Sequence, residues 1–209
     1  MTDPVPHDDA RAAREVTGMI ERVITSVPAP RTVPVSDPDR EADRIVRAAA
    51  RKAAALSGSL ALPPGPLGML TVLPDLYLIW QTQRQMVADV FALYGRTAEL
   101  GRTHMLYCLF RHAASHVLRD VAVRAGQRFV VKELSAGALR TALSAIGIVV
   151  TRRVAGGAAS RWIPLAGAAL VGGYAYWDTM QVARTARRLL ETTSAPDAAT
   201  PTIHDVTAG

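Results

Sequence analysis

His104, Cys108, His112, His116 and Asp120 recur every four residues, and they are the residue types from which metal centres, thiolate nucleophiles and general bases are built. Each four-residue step on a helix turns by about 40°, so the five spiral through about 160° and climb about 24 Å, too far for one ion. His112 with His116, or Cys108 with His112, supplies two ligands at most, and another helix would have to bring the rest. A helical plot puts Leu106, Leu109, Phe110, Ala113, Val117 and Val121 on one face and His104, Cys108, Arg111, His112, Ser115 and Arg119 on the other. The plain reading is a polar face, exposed or packed on a neighbour. The sharper readings are a metal site on His112 and His116, or a Cys108 thiolate made acidic by Arg111 and the imidazoles.

Two carboxylates stand beside apolar segments. Asp75 follows Pro74 where a helix start would welcome negative charge, so capping is the plain reading and catalysis the sharper one. Asp178 follows Trp177 and lies with Gln181, Thr185 and Arg188 along one side of the last helix. Placed at one level of a bundle, Asp75 and Asp178 could share general acid–base work, although an ion pair with an arginine is the simpler fate. Gln83 sits in the middle of the apolar face of Leu76, Ile79, Trp80, Met86, Val87, Val90 and Tyr94, which predicts a buried amide bonded across a helix interface.

Arg40, Arg44, Arg47 and Arg51 follow one another at spacings of four, three and four, opposite Ala42, Ile45, Ala49 and Leu56. They form one basic ridge, either a solvated face or a contact for anionic lipid headgroups. Nucleic acid is disfavoured because few aromatics interleave with the ridge and no recognition motif is present.

The elements that must position these side chains read as helices. From Asp8 to Val27, apolar Val16, Met19, Ile20, Val23, Ile24 and Val27 alternate at three and four residues with Arg11, Arg14, Glu15, Glu21 and Arg22 opposite. Pro28, Pro30, Pro34 and Pro38 follow, so residues 1–38 read as an amphipathic helix on a proline-rich tether, free to move or to dock on its own body or a partner. A second helix starts at Ser36 or Asp37 and runs to Leu56, with Gly58 ending it. Further helices fall at about 75–94, 98–125, 127–134, 136–158 and 164–191, and residues 192–209 read as a disordered tail. With almost no strict alternation, the fold class is all-α: a multi-helix bundle with a domain over residues 39–191 and two apolar segments interrupted by Gly and Pro.

Those segments, 60–80 and 162–177, decide the membrane question. The first is broken by five prolines and glycines before Pro74, and the second is 16 residues long, short of the roughly 20 that span a bilayer. Trp80, Trp162, Tyr174, Tyr176 and Trp177 mark segment ends, as interfacial aromatics do. The chain carries 24 basic and 18 acidic residues, yet residues 41–190 alone hold 19 basic against eight acidic, so a body of net charge +11 lies between acidic ends. That body favours anionic partners. The lone cysteine allows no internal disulfide, and the first ten residues, with Asp3, Asp8 and Asp9, do not read as a secretory signal.

The stretch LPPGPLGMLTVLPDLYLIWQTQRQM, the helix end Leu93-Tyr94-Gly95, the run MLYCLFRHAASH and the late segment RWIPLAGAALVGGYAYWDT together resemble the bacterial EcsC family, over roughly residues 41–191. A looser similarity is to a helical domain attached to some GTPases, but no phosphate-binding loop is present. The EcsC resemblance implies an all-helical protein associated with the cytoplasmic face of the inner membrane, as an accessory to an ABC transporter or another membrane process. It carries over no catalytic residue and no cofactor. The expectation is therefore a non-enzymatic, membrane-peripheral protein whose partner is anionic lipid or a membrane protein, with homo-oligomerisation left open. The competing expectations are a metal-assisted hydrolase built on the His104–His116 helix, and a helical interaction module.

Overall fold

The computed structural model describes residues 6–60, 67–112, 135–157 and 164–194. Among them the chain is all-helical, as expected: α1 (Pro6–Thr25), α2 (Pro38–Leu60), α3 (Leu67–Leu93), a short 3-10 turn (Thr97–Glu99), α4 (Arg102–Phe110), α5 (Ala136–Gly157) and α6 (Pro164–Ser194). The expected helix at 127–134, His116, Asp120 and the tail beyond residue 194 lie outside the described residues.

Local chemistry sets several of these ends. Asp37 accepts the Arg40 backbone N–H through its carboxylate at 3.2 Å, and Pro38 opens α2, the usual pairing of an acidic cap with a proline that has no amide to satisfy. At the other end α2 passes through Gly58 and stops at Leu60. Gly95 ends α3 in the left-handed region at φ 69°, where Gly95 N–H donates to Ala92 O and Arg96 N–H to Phe91 O, both at 2.9 Å. The start of α3 departs from expectation. It begins at Leu67 and carries Pro74 in its interior, forgoing one backbone bond without stopping. Asp75 therefore lies well inside a helix, and the capping role expected of it at a helix start does not hold.

α2, α3 and α6 form the central layer. Gln83 meets Thr179, Arg96 reaches the Leu190 carbonyl, and Ile79 packs with Ala175, so α3 runs parallel to α6. Arg187 pairs with Asp43, Tyr94 bonds to Asp39, and Ala53 joins Ile79 and Ala175, so α2 runs antiparallel to both. α4 returns along α6, bringing Phe110 edge-on to Trp80 with ring centroids 5.2 Å apart. α1 packs on α5 and α3, and its Val16, Met19, Ile20, Val23 and Ile24 are buried in the main core.

The first helix is thus a core element here, not a movable appendage. The segment behind it is pinned as well. Asp89 accepts the Arg31 backbone N–H at 2.6 Å and the Gln85 amide at 3.0 Å, while Thr32 donates to the Asp89 carbonyl at 2.9 Å. Gln85 also donates to Ala29 O at 3.0 Å, and Arg84 to Val23 O at 3.0 Å. Asp89 was not among the expected site residues, yet a single acid within the apolar run Met86–Leu93 signals a carboxylate with a buried task.

The bundle has two chemically different ends. One gathers Asp39, Asp43, Tyr94, Arg96, Glu99 and Arg187 in mutual contacts. At the other, residues 53–60 of α2 and 164–177 of α6 contain no Asp, Glu, Lys or Arg, and residues 67–80 of α3 contain only Asp75. The two apolar segments noted in the sequence therefore converge, in their described parts, at the same end.

Candidate functional site

Two features carry the expected site residues: a buried polar cluster in the middle of the bundle and the basic ridge on α2.

The cluster is centred on Asp178 of α6. His112, in the turn after α4, places Nε2 2.5 Å from Asp178 Oδ1. Gln83 of α3 donates its amide to Asp178 Oδ2 at 2.7 Å and to the Thr179 hydroxyl at 3.2 Å. The arginine partner expected for Asp178 is replaced by an imidazole and an amide. Gln83 is fully buried and bonds across a helix interface, as its position on the apolar face of α3 implied. Trp177 stands edge-on to the imidazole with centroids 6.1 Å apart. His112 Nδ1 and Gln83 Oε1 are buried without a hydrogen-bond partner among the described residues. Chemically, a carboxylate on one imidazole nitrogen fixes the tautomer and leaves the other as an acceptor, which is how a general base is oriented. It is equally the way a buried histidine is held for structure.

No reactive group adjoins the pair among the described residues. Cys108 is fully buried in the main core, and burial alone pushes its thiol far up. That overturns the thiolate nucleophile: the polar spacing along α4 does not describe an exposed face, because Thr103, Met105, Leu106, Cys108, Leu109 and Phe110 are all buried among α1, α3 and α6. Arg111, the expected activator, instead lies over the Tyr107 ring, 5.5 Å from its centroid. Thr179 donates its hydroxyl to Ala175 O at 2.8 Å. Among the described residues no three His, Cys, Asp or Glu side chains converge to hold a metal, and the pairing of His112 with His116 falls outside them. The same is true of any contact between the Asp75 and Asp178 side chains.

The ridge is exposed on α2, as its spacing requires. Its members differ in charge environment. Arg44 donates to Glu41 through Nε at 2.9 and 3.1 Å, which holds the Glu41 carboxyl below its ordinary range, and Arg47 lies 3.9 Å from Asp43. Arg40 and Arg51 form no ion pair among the described residues. Toward the apolar end, Leu170, Tyr174 and Trp177 occupy one stripe of α6 at i, i+4 and i+7, exposed by 68%, 49% and 49%. The rings of Tyr174 and Trp177 lie 5.8 Å apart, and Leu78 of α3 is also exposed at that end. No helix among the described residues is long and apolar enough to cross a membrane.

No family model, curated protein or solved structure matches this chain.

Proposed function

We propose that this is a non-enzymatic, membrane-peripheral helical protein that meets the bilayer with the apolar end of its bundle. The observation that carries the reading is the stripe of Leu170, Tyr174 and Trp177, open to solvent on a helix that has no charged residue from Pro164 to Trp177. Tyrosine and tryptophan present an apolar body with a polar tip, which suits the level of lipid headgroups. Shallow insertion would remove this stripe from water.

The same orientation divides the basic ridge. Ala53 lies level with Ala175 along the bundle, so Arg51 and Lys52 are the basic groups of α2 nearest the apolar end, and each basic group near an anionic surface contributes about 1 kcal/mol. Arg40 is eleven residues, about 16 Å, further along α2 and away from the surface. The EcsC resemblance points the same way and adds the cytoplasmic face of the inner membrane and an accessory role beside a transporter. The metal-assisted hydrolase alternative has the oriented His112 in its favour, but among the described residues no three metal-ligating side chains converge beside it.

Vesicle flotation tests the reading. The protein should float with phosphatidylglycerol-containing vesicles at low salt and lose roughly tenfold in affinity when Leu170 and Tyr174 are both replaced by Gln. No flotation, or flotation indifferent to those two changes, would sink it.

A further inference from the structure

Between α2 and α3 lies a groove of about 520 Å³, within the roughly 300–1,000 Å³ of small-molecule sites. Its lining is ordered by polarity along its length. Because α2 and α3 are antiparallel, with Tyr94 at Asp39 and Ile79 at Ala53, Arg44 falls level with Asp89, Lys52 with Gln81, and Leu56 with Leu78. At the charged end of the groove the charges are already matched: Arg44 is held by Glu41, and Asp89 is occupied by Arg31 N–H and Gln85. In the middle they are not. Lys52 is exposed and, like Arg84, has no carboxylate partner among the described residues. Arg84 donates to the Val23 and Ser26 carbonyls at the C-terminal end of α1, which fixes its guanidinium in place and offsets only part of its charge. One helical turn further on, the walls become Leu56 and Leu78, and the groove heads for the apolar end of the bundle.

The geometry points to a site for one anionic phospholipid, its phosphate between Lys52, Arg84 and Gln81 and its acyl chains leaving past Leu56 and Leu78. Two fixed or pendant cations recognise the phosphate diester, the Gln81 amide adds a donor, and the leucines receive the first methylenes of the chains. This rests on the membrane reading above for the direction in which the chains leave. It differs from a diffuse attraction to the ridge by requiring a single saturable site in which the charge and the tail are read together.

The probe is dihexanoyl phosphatidylglycerol kept monomeric below its micelle concentration and titrated calorimetrically into the full chain. Saturable one-to-one binding is expected, weakened roughly fivefold by Lys52→Gln. A comparable loss is expected from Leu78→Glu, and no change from Arg47→Gln, which lies outside the groove. Lys52 and Leu78 are both exposed, so unchanged thermal melting verifies that the variants remain folded. Glycerophosphoglycerol, the same phosphodiester without acyl chains, should bind much more weakly. No saturable binding, equal binding of glycerophosphoglycerol, or a loss with Arg47→Gln as large as with Lys52→Gln would overturn the site. Since the probe is monomeric, this outcome is independent of flotation: a chain that floats but ignores the probe keeps its membrane role without this site, and the converse result separates them in the other direction.

Discussion

His112 Nε2 and Asp178 Oδ1 lie 2.5 Å apart, and the other oxygen of that carboxylate takes the Gln83 amide, so a single aspartate joins α4 and α3 to α6. All three side chains are buried or nearly so, with His112 and Asp178 exposed by only 12% and 15%. A polar group left unpaired in such a place costs about 1–3 kcal/mol, more than the bond itself contributes. Asp178→Ala should therefore lower the melting temperature by about 2–12 °C in a chain of this size. His112→Ala added to it should cost little more, because the partner it loses is already gone. Additive losses in a thermal double-mutant cycle would show that the pair is not coupled.

The sealed position of Cys108 gives a second prediction. With the thiol fully buried and pushed up by desolvation, a disulfide reagent should leave the native protein unlabelled and react completely once the chain is unfolded in denaturant. Cys108→Ala should be tolerated better than Cys108→Ser, whose hydroxyl would be buried without a partner at a cost of about 1–3 kcal/mol. Rapid labelling of the folded protein would return the nucleophile to consideration.

These two residues also show what the sequence could disclose. Helix periodicity separates a wet face from a dry one, and it worked for α1 and for Gln83, where a stripe of apolar residues faces one layer and solvent the other. It failed for α4, which is enclosed on several sides, so that His104, Cys108 and Arg111 were grouped as one polar face although Cys108 packs into the core. Asp178 is recognisable in the sequence as an acid flanking an apolar segment. Its partners are not, because they come from residues 66 and 95 positions away and no local pattern records that distance. Pro74 misplaced the start of α3 for a related reason: proline weakens a helix locally, but the surrounding run Leu67–Trp80 continues the helix through it.

The approach of α1 to α5 depends on Gly147. A Cβ at that position would lie 2.1 Å from Thr17 Oγ1 and 3.1 Å from the Ala13 carbonyl oxygen. The Thr17 hydroxyl cannot simply turn away without losing its 2.7 Å bond to Ala13 O. Gly147→Ala should destabilise the fold by about 1–3 kcal/mol through overpacking, despite the better helix propensity of alanine. Thr17→Ala in the same chain should restore part of that loss by removing the closer contact. Urea denaturation of the two single variants and the double variant checks this, and a Gly147→Ala protein as stable as the parent would contradict the close packing of α1.

Tyr94 provides the pH-dependent prediction. Burial raises its phenol first, the hydrogen bond it donates to Asp39 and the negative charge there raise it further, and Arg187 opposes them, leaving it at about 12 instead of the usual 10. The folded state thus favours the neutral phenol. Its contribution to stability is complete below about pH 10 and is lost as pH climbs from 10 toward 12, because the unfolded chain gives up the proton first. Phenolate absorbance should show a phase ionising toward pH 12, and Tyr94→Phe should remove that late phase. The variant should also lose stability relative to the parent at neutral pH and converge with it as the window is crossed, since both then lack the phenol's bond between α3 and α2. A parent and variant separated by the same amount at neutral pH and at pH 12 would show that the Tyr94 contact with Asp39 does not hold those helices together.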